Sequence, residues 1–473
     1  MDRFSRSEYQ LLWLVAAGFF MQTLDSTIVT TALPAMAVSL HESPLRMQSV
    51  IIAYTLTMAM LIPASGWLAD RLGTRTVFFC AIIVFAIGSA LCAASSTLRD
   101  LALSRIVQGA GGAMLLPVGR LVVLRNVPPA RYLPALALVT IPGLVGPLIG
   151  PTAGGWLSEY YSWHWIFLIN IPVGIIGAVL TLRIMPQTRG VRREGFDLAG
   201  YAMLATAMVA MSLALDGLAE LHLQHALVLV LFVFGLATLS AYWLHASQRP
   251  QPLFSPQLFR ISTFSIGLLG NLFSRIGSGA VPFLLPLTLQ VGLGYTPLQS
   301  GLMMVPAALA AMLTKRPVTP LIMRYGYRRV LMVNTLLLGA AIASLGLVSA
   351  GEPLWLRIVQ FAIFGAVNSL QFTAMNTLTL KDLGAARASG GNSLLSMVQM
   401  VSMSFGVAAA AALLTTFTQM LAAVQPLQVL RAFHLSLLCA GCLTLAAAWV
   451  FSQLSSDVNN QGERTQDVDV APS

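Results

Sequence analysis

Charge is what this sequence has least of. Asp, Glu, Lys and Arg make up 9% of its 473 residues, against 57% hydrophobic ones. A water-surrounded domain needs roughly 25% charged residues to cover its surface, so a soluble globule is excluded. Cysteine is scarce as well, with four in the chain. Cys80 and Cys92 share one apolar run, and Cys439 and Cys442 share another. The Cys439-Ala440-Gly441-Cys442 spacing therefore falls inside a hydrophobic helix and reads as packing rather than metal or redox chemistry. No GxxxxGK[S/T] phosphate loop occurs, and no polar segment is long enough for an ATP-hydrolysing or other catalytic domain. No cofactor is expected, and energy for any pumping must come from an ion gradient.

Hydrophobic length is what the chain has in excess. Windows of about 20 apolar residues, enough to cross a bilayer, predict fourteen spans near 11–33, 47–69, 77–95, 101–124, 133–157, 165–185, 198–216, 226–246, 263–290, 298–316, 329–349, 354–376, 392–416 and 433–453. The fold class is all-α and integral to the membrane. The first run is too long for a cleaved leader and lacks a small-residue cleavage site. The net charge of +10 is topological. With an even number of spans, 21 of the 27 basic residues gather on one side, four lie on the other, and Arg105 and Arg275 fall within spans. That bias places both termini on the cytoplasmic side. A basic docking patch, and hence a nucleic-acid partner, is not expected.

One carboxylate breaks the apolar pattern. Asp25 lies deep in the first run, within Leu24-Asp25-Ser26-Thr27-Ile28-Val29-Thr30-Thr31-Ala32-Leu33-Pro34. Keeping a charge there costs a few kcal/mol or more, which marks Asp25 as a candidate proton carrier. An Asp satisfied by a neighbouring helix is the bland alternative. The fourth run carries Arg105, which either snorkels outward or faces the interior cavity and biases Asp25 by opposite charge.

Two short motifs repeat. Arg71-Leu72-Gly73-Thr74-Arg75 is echoed by Arg324-Tyr325-Gly326-Tyr327-Arg328, and Arg105-Ile106-Val107-Gln108 by Arg357-Ile358-Val359-Gln360. The separations nearly match, as duplicated halves require. Residues 1–190 would form one six-helix bundle and 261–454 the other. Two inserted helices occupy 191–260, and 455–473 reads as a disordered cytoplasmic tail. Gly73 suits a tight loop after Asp70, and Asp197 can cap the first inserted helix.

The fifth run is interrupted by glycine and proline. Gly143, Gly146, Gly150 and Gly154 share one helical face, and Pro142, Pro147 and Pro151 bend or weaken the helix. A packing seam and a bending gate are both open readings. Asn271 and Arg275 in the ninth run, Asn368, Gln371 and Met375 in the twelfth, and Asn392 and Gln399 in the thirteenth are candidate cavity residues. Helix–helix hydrogen bonds would explain the amides equally well.

These motifs resemble the major facilitator superfamily, in particular its fourteen-helix drug:proton antiporters, over nearly the whole chain. Leu24-Asp25-x-Thr27-Ile28-Val29-x-x-Ala32-Leu33-Pro34 is similar to that group's helix 1 motif. Gly66-x-Leu68-Ala69-Asp70-Arg71-x-Gly73 resembles the superfamily's loop 2–3 motif, and Leu101-x-x-x-Arg105-x-x-Gln108-Gly109 its helix 4 motif. Gly146-Pro147-x-x-Gly150-Pro151-x-x-Gly154-Gly155 looks like the helix 5 signature of antiport. The resemblance implies two bundles rocking about a central cavity, with Asp25 coupling protons and Arg105 assisting. Asp70, Arg71 and Arg75 would latch the cytoplasmic side. It implies proton-coupled export of small amphipathic or hydrophobic compounds by a monomer in the lipid bilayer, with export of anionic metabolites such as organic acids as the alternative. A non-transporting sensor or assembly subunit is a third reading. Two departures matter: Thr74 replaces the basic residue usual after Gly73, and 392–416 lacks the acid that some relatives use for dicationic drugs.

Overall fold

In hydrocarbon every backbone N–H and C=O must be satisfied within a helix or a closed barrel, and this chain takes the helical solution. The computed structural model describes residues 4–128, 131–189, 195–220, 225–349, 351–422 and 426–454. Its helices are α1 (Arg6–Ser39), α2 (Gln48–Leu72), α3 (Thr74–Ala93), α4 (Leu98–Asn126), α5 (Tyr132–Tyr160), α6 (Trp165–Ile184, interrupted at Ile169) and α7 (Leu198–Glu220). They continue with α8 (His225–Gln248), α9 (Ser262–Leu287, extended by a π turn), α10 (Pro297–Leu313), α11 (Val318–Leu345), α12 (Leu354–Lys381), α13 (Ala385–Met420) and α14 (Pro426–Ala446). Among the described residues thirteen spans are long and apolar enough to cross a membrane, and α10, with 17 residues, is a shorter fourteenth. The expected tail, 455–473, lies outside the described residues.

Helix pairings repeat between the halves. α1 packs on α5, α2 on α4 and α3 on α6; in the second half α9 packs on α13, α10 on α12 and α11 on α14. The same pairing shifted by eight helices is what duplication produces. The repeated loop motif has a matching backbone: Gly73 sits at φ +93° and Gly326 at φ +79°, a region that favours glycine. Gln187, just after α6, pins the first loop by donating from Nε2 to the Leu72 carbonyl at 3.0 Å.

The halves meet along α2–α13 and α5–α10. A single apolar core containing Ile28, Leu33, Phe167, Phe283, Phe361 and Val407 joins both halves at the end away from the basic loops. Toward the basic end each half has an apolar core of its own, around Phe78 in the first and Leu331 in the second. The molecule is thus closed at the far end.

α7 lies against α13 and α2, while α8 packs mainly on α7. Asp197 ties the pair together. Its Oδ1 accepts from the Gly200 N–H at 3.0 Å and lies 2.9 Å from His245 Nε2, while Oδ2 accepts from the Leu253 N–H at 3.1 Å. Burial pushes this carboxyl up, but these donors outweigh burial and hold it below its ordinary 3.8. A depressed folded pKa gives stability that is present above the unfolded value and lost as pH falls through the folded one. Asp197→Ala should therefore cost about 1–3 kcal/mol at neutral pH, measured by thermal melting in detergent. The gap from the parent should close as pH drops below 3.8.

Candidate functional site

Two contacts of α1 fix where Asp25 points. On one face the glycine stripe of α5 lets the backbones touch: a Cβ at Gly150 would meet Thr27, and one at Gly154 would meet the Ile28 carbonyl. Thr27 Oγ1 donates to the Gly146 carbonyl at 3.3 Å and Thr31 Oγ1 to the Pro151 carbonyl at 2.9 Å. Hydroxyls of α1 thus serve carbonyls in the proline-interrupted stretch of α5. The remaining face of α1 meets α4 and α6, and Asp25 lies there, fully buried.

Its carboxylate is almost saturated with donors. Arg105 Nη1 donates to Oδ2 at 2.7 Å, and Oδ1 accepts from Gln108 Nε2 at 2.7 Å and from Asn170 Nδ2 at 3.0 Å. Arg105 is itself 1% exposed. It also reaches Gln108 Oε1 at 2.6 Å and the Val50 carbonyl at 3.3 Å, with Tyr54 stacked 4.0 Å from its Cζ. Gln108 Nε2 completes the set with Ser89 Oγ at 2.8 Å. Five helices, α1, α2, α3, α4 and α6, thereby surround one ion pair. Desolvating both charges is offset only by such complete hydrogen bonding.

Arg105 and Asp25 are brought together, but the expectation that Arg105 faces the cavity is not met in this arrangement. The guanidinium is drawn inward by a carboxylate, an amide and a backbone carbonyl, all unavailable at a water-lined wall. The sequence reading also missed three partners. Gln108 had a signal, since it sits three residues after Arg105 on the same helical face. Asn170 is a lone amide after the apolar Phe167-Leu168-Ile169, with nothing beside it to mark a partner. Ser89 carried none. The repeat of Arg105, Arg357, has different company: it donates to the Ser349 carbonyl at 3.0 Å, to the Glu352 carbonyl at 2.6 Å and to Tyr295 Oη. α9 has no carboxylate to offer it.

The cavity lies one turn from Asp25. It holds about 60 Å³ between α1, α2, α4 and α13, with Gln22, Arg120, Asn392, Ser396 and Gln399 among its polar lining and Met58, Ala113 and Met400 among its apolar lining. Asn392 and Gln399 are among the residues that line it. Asn271 lies behind the wall, accepting weakly from Gln399 at 3.5 Å. Gln371 is turned away from it, donating to Thr335 at 2.7 Å and accepting from Asn334 at 2.7 Å, and Met375 packs in the second half's basic-end core. These two bind α11 to α12 rather than lining the cavity. Asn368 is half-buried on α12, and Arg275 lies between α9 and α12 with its Cζ 4.6 Å from the Phe372 ring.

At the basic end Asp70 is paired with Arg125 of its own half, Arg71 lies over Trp67 and Arg75 begins α3. A Cβ at Gly66 would meet nothing within 4 Å. At the far end Gly155 abuts the Pro297 carbonyl, while Gly301 abuts that of Pro151, so α5 and α10 touch backbone to backbone across the halves. Among the described residues no group of His, Cys, Asp and Glu could hold a metal.

The Major Facilitator Superfamily model matches residues 15–407 and again 267–466. The chain belongs to that superfamily. It is 53% identical over 408 residues to the multidrug resistance protein MdtD of Pectobacterium atrosepticum, covering 86% of this chain and 87% of that one. The corresponding protein of Serratia proteamaculans is 50% identical over 456 residues, 96% of this chain and 95% of its own. Among solved structures, a bacterial homologue of the human lysosomal transporter Spinster superposes with a TM-score of 0.69 at 14% identity, over 95% of this chain and 97% of the other. The superfamily membership, the fourteen helices and the repeated halves agree, so this is a multi-pass membrane transporter.

Proposed function

We propose that the chain exports small amphipathic or hydrophobic compounds from the cytoplasm across the bacterial inner membrane, in exchange for protons. The observation that carries this reading is the sealed Asp25–Arg105 pair one helical turn from the cavity between the halves. Protonating Asp25 removes the counter-ion of a fully buried guanidinium, so the two protonation states must differ by several kcal/mol in how well this packing suits them. A proton can then bias an equilibrium between two arrangements of the bundles. The basic loops belong on the cytoplasmic side by the positive-inside rule. Closure at the far end then fits an inward-facing arrangement. Pairing of Asp70 with Arg125 inside one half fits a cytoplasmic latch that is not engaged across the halves. The MdtD proteins, named for multidrug resistance, supply the substrate class.

A second reading, export of anionic metabolites such as organic acids, is favoured by one observation. Arg120 lines the cavity and Arg275 lies on the opposite bundle, and neither has an acidic partner among the described residues. Proteoliposomes with an imposed proton gradient separate the readings through a panel of cationic dyes and carboxylates. Asp25→Asn is expected to abolish gradient-driven efflux while the protein stays inserted and folded. Full efflux by that variant overturns proton coupling through Asp25, and efflux confined to carboxylates selects the second reading.

A further inference from the structure

Two buried polar atoms between Asp25 and the cavity have no hydrogen-bond partner: Gln22 Oε1 and Tyr54 Oη. Gln22 is 8% exposed and Tyr54 is 1% exposed. Leaving such atoms unpaired costs about 1–3 kcal/mol each, a cost that water reaching them from the adjoining cavity would remove. Gln22 lines the cavity, and it precedes Asp25 by three residues, on the same face of α1. Tyr54 spans the barrier from α2. Its ring covers the Arg105 guanidinium, while its hydroxyl ends beside Gly112, where a Cβ would lie 2.9 Å from Oη and 3.6 Å from the cavity-lining Met58 sulfur. The cavity, at about 60 Å³, has room for water.

We propose that Gln22 and Tyr54 form the proton inlet of Asp25, holding water between the cavity and the carboxylate. Such an inlet presupposes the proton-driven reading above. The carboxylate geometry says which oxygen receives the proton. Oδ1 already accepts two N–H groups, whereas Oδ2 accepts only from Arg105. A hydronium whose water is held by Gln22 Oε1 breaks one O–H bond as Oδ2–H forms, leaving water behind and a neutral Asp25 beside Arg105. Release runs the same steps backwards. Tyr54 offers the bridging water a second hydrogen bond while its ring screens the guanidinium from it. The titratable or charged groups facing Asp25 are Arg105 on α4, Tyr54 on α2 and, across Gln108, Cys92 on α3; α5 presents its glycines and α6 the neutral Asn170. Gln22 and Tyr54 are positioning residues, since the proton ends on Asp25.

The test follows proton uptake by the purified full-length chain in detergent after an acid pulse, with pyranine as the reporter in a stopped flow. Asp25→Asn identifies the Asp25 phase by deleting it. Gln22→Leu is expected to slow that phase about tenfold, and Tyr54→Phe about threefold, with the number of protons unchanged. Gln22→Ser, which keeps a hydrogen-bonding oxygen and admits water, should stay within about twofold of the parent. A purely structural role would alter amplitude or melting temperature and leave the rate alone. An unchanged rate in Gln22→Leu overturns the inlet. If that variant does not fold, Tyr54→Phe decides alone, because it removes a single oxygen. Should Asp25→Asn remove no phase at all, the proton-driven reading falls together with the inlet. A phase that is present but indifferent to Gln22 sinks the inlet only.

Discussion

Arg105→Met should cost the protein about 3–5 kcal/mol of stability, and adding Asp25→Asn to the same chain should return most of it. The single variant strands a fully buried carboxylate without its cation. Gln108 and Asn170 still donate to it, but two neutral amides replace only part of the charge interaction lost at 2.7 Å. The double variant carries no charge there, and the amide introduced at that position can both accept from and donate to its neighbours. Asp25→Asn alone leaves the guanidinium with Gln108 Oε1, the Val50 carbonyl and the Tyr54 ring, so it should be the milder single change. The measurement is a double-mutant cycle by thermal unfolding in one detergent at fixed pH. Additive costs would mean that the pair is not coupled, and the proposed use of protonation as a switch would lose its energetic basis.

Gly154→Leu should prevent recovery of folded protein, whereas Gly66→Ala should change stability by less than about 0.5 kcal/mol. The difference lies in what a side chain would meet. At Gly154 it meets the Ile28 carbonyl and Thr31 Oγ1 at 2.7 Å, and a backbone carbonyl inside a helix cannot step aside. Even Gly154→Ala is expected to cost about 1–3 kcal/mol through overpacking. At Gly66 the space is open, although both glycines belong to motifs of the same family resemblance. Size-exclusion profiles and melting curves of the three variants suffice to check this. If Gly154→Leu elutes and melts like the parent, α1 and α5 are not held in this contact, and the placement of Asp25 loses its footing. Because Asp25 lies on the face of α1 turned away from α5, pushing the helices apart would also press on the ion pair.

Much of the site was open to reading before any coordinates, for a reason of scale. A carboxylate in a run of about 20 apolar residues is conspicuous because its cost is local: hydrocarbon penalises it whatever the other helices do. The repeated Arg-x-Gly-x-Arg was legible because a turn needing positive φ leaves a glycine behind in each copy. The amides were not legible in the same way. Gln399 at the cavity and Gln371 bonded to Thr335 obey one rule, that an amide in a membrane must find a partner, and spacing along a helix does not say whether that partner is water or a neighbour. The pairing of Asp25 with Asn170 joins residues 145 apart in sequence, and nothing in either segment announces the other.

The order of residues was enough to put this chain in a membrane, to mark fourteen apolar helices with a repeat between its two ends, and to single out one acid and one base that need explaining. These follow from transfer energies and turn geometry, which act on single segments. Packing in three dimensions was needed to turn Arg105 inward to Asp25, while Arg357, set in the same four residues, anchors a loop. It was needed as well to bring Gln108, Ser89 and Asn170 around the pair and to stop a cavity one helical turn short of it. A buried charge takes whichever partner the packing of several helices brings within hydrogen-bonding distance, and that distance is set between segments rather than within them.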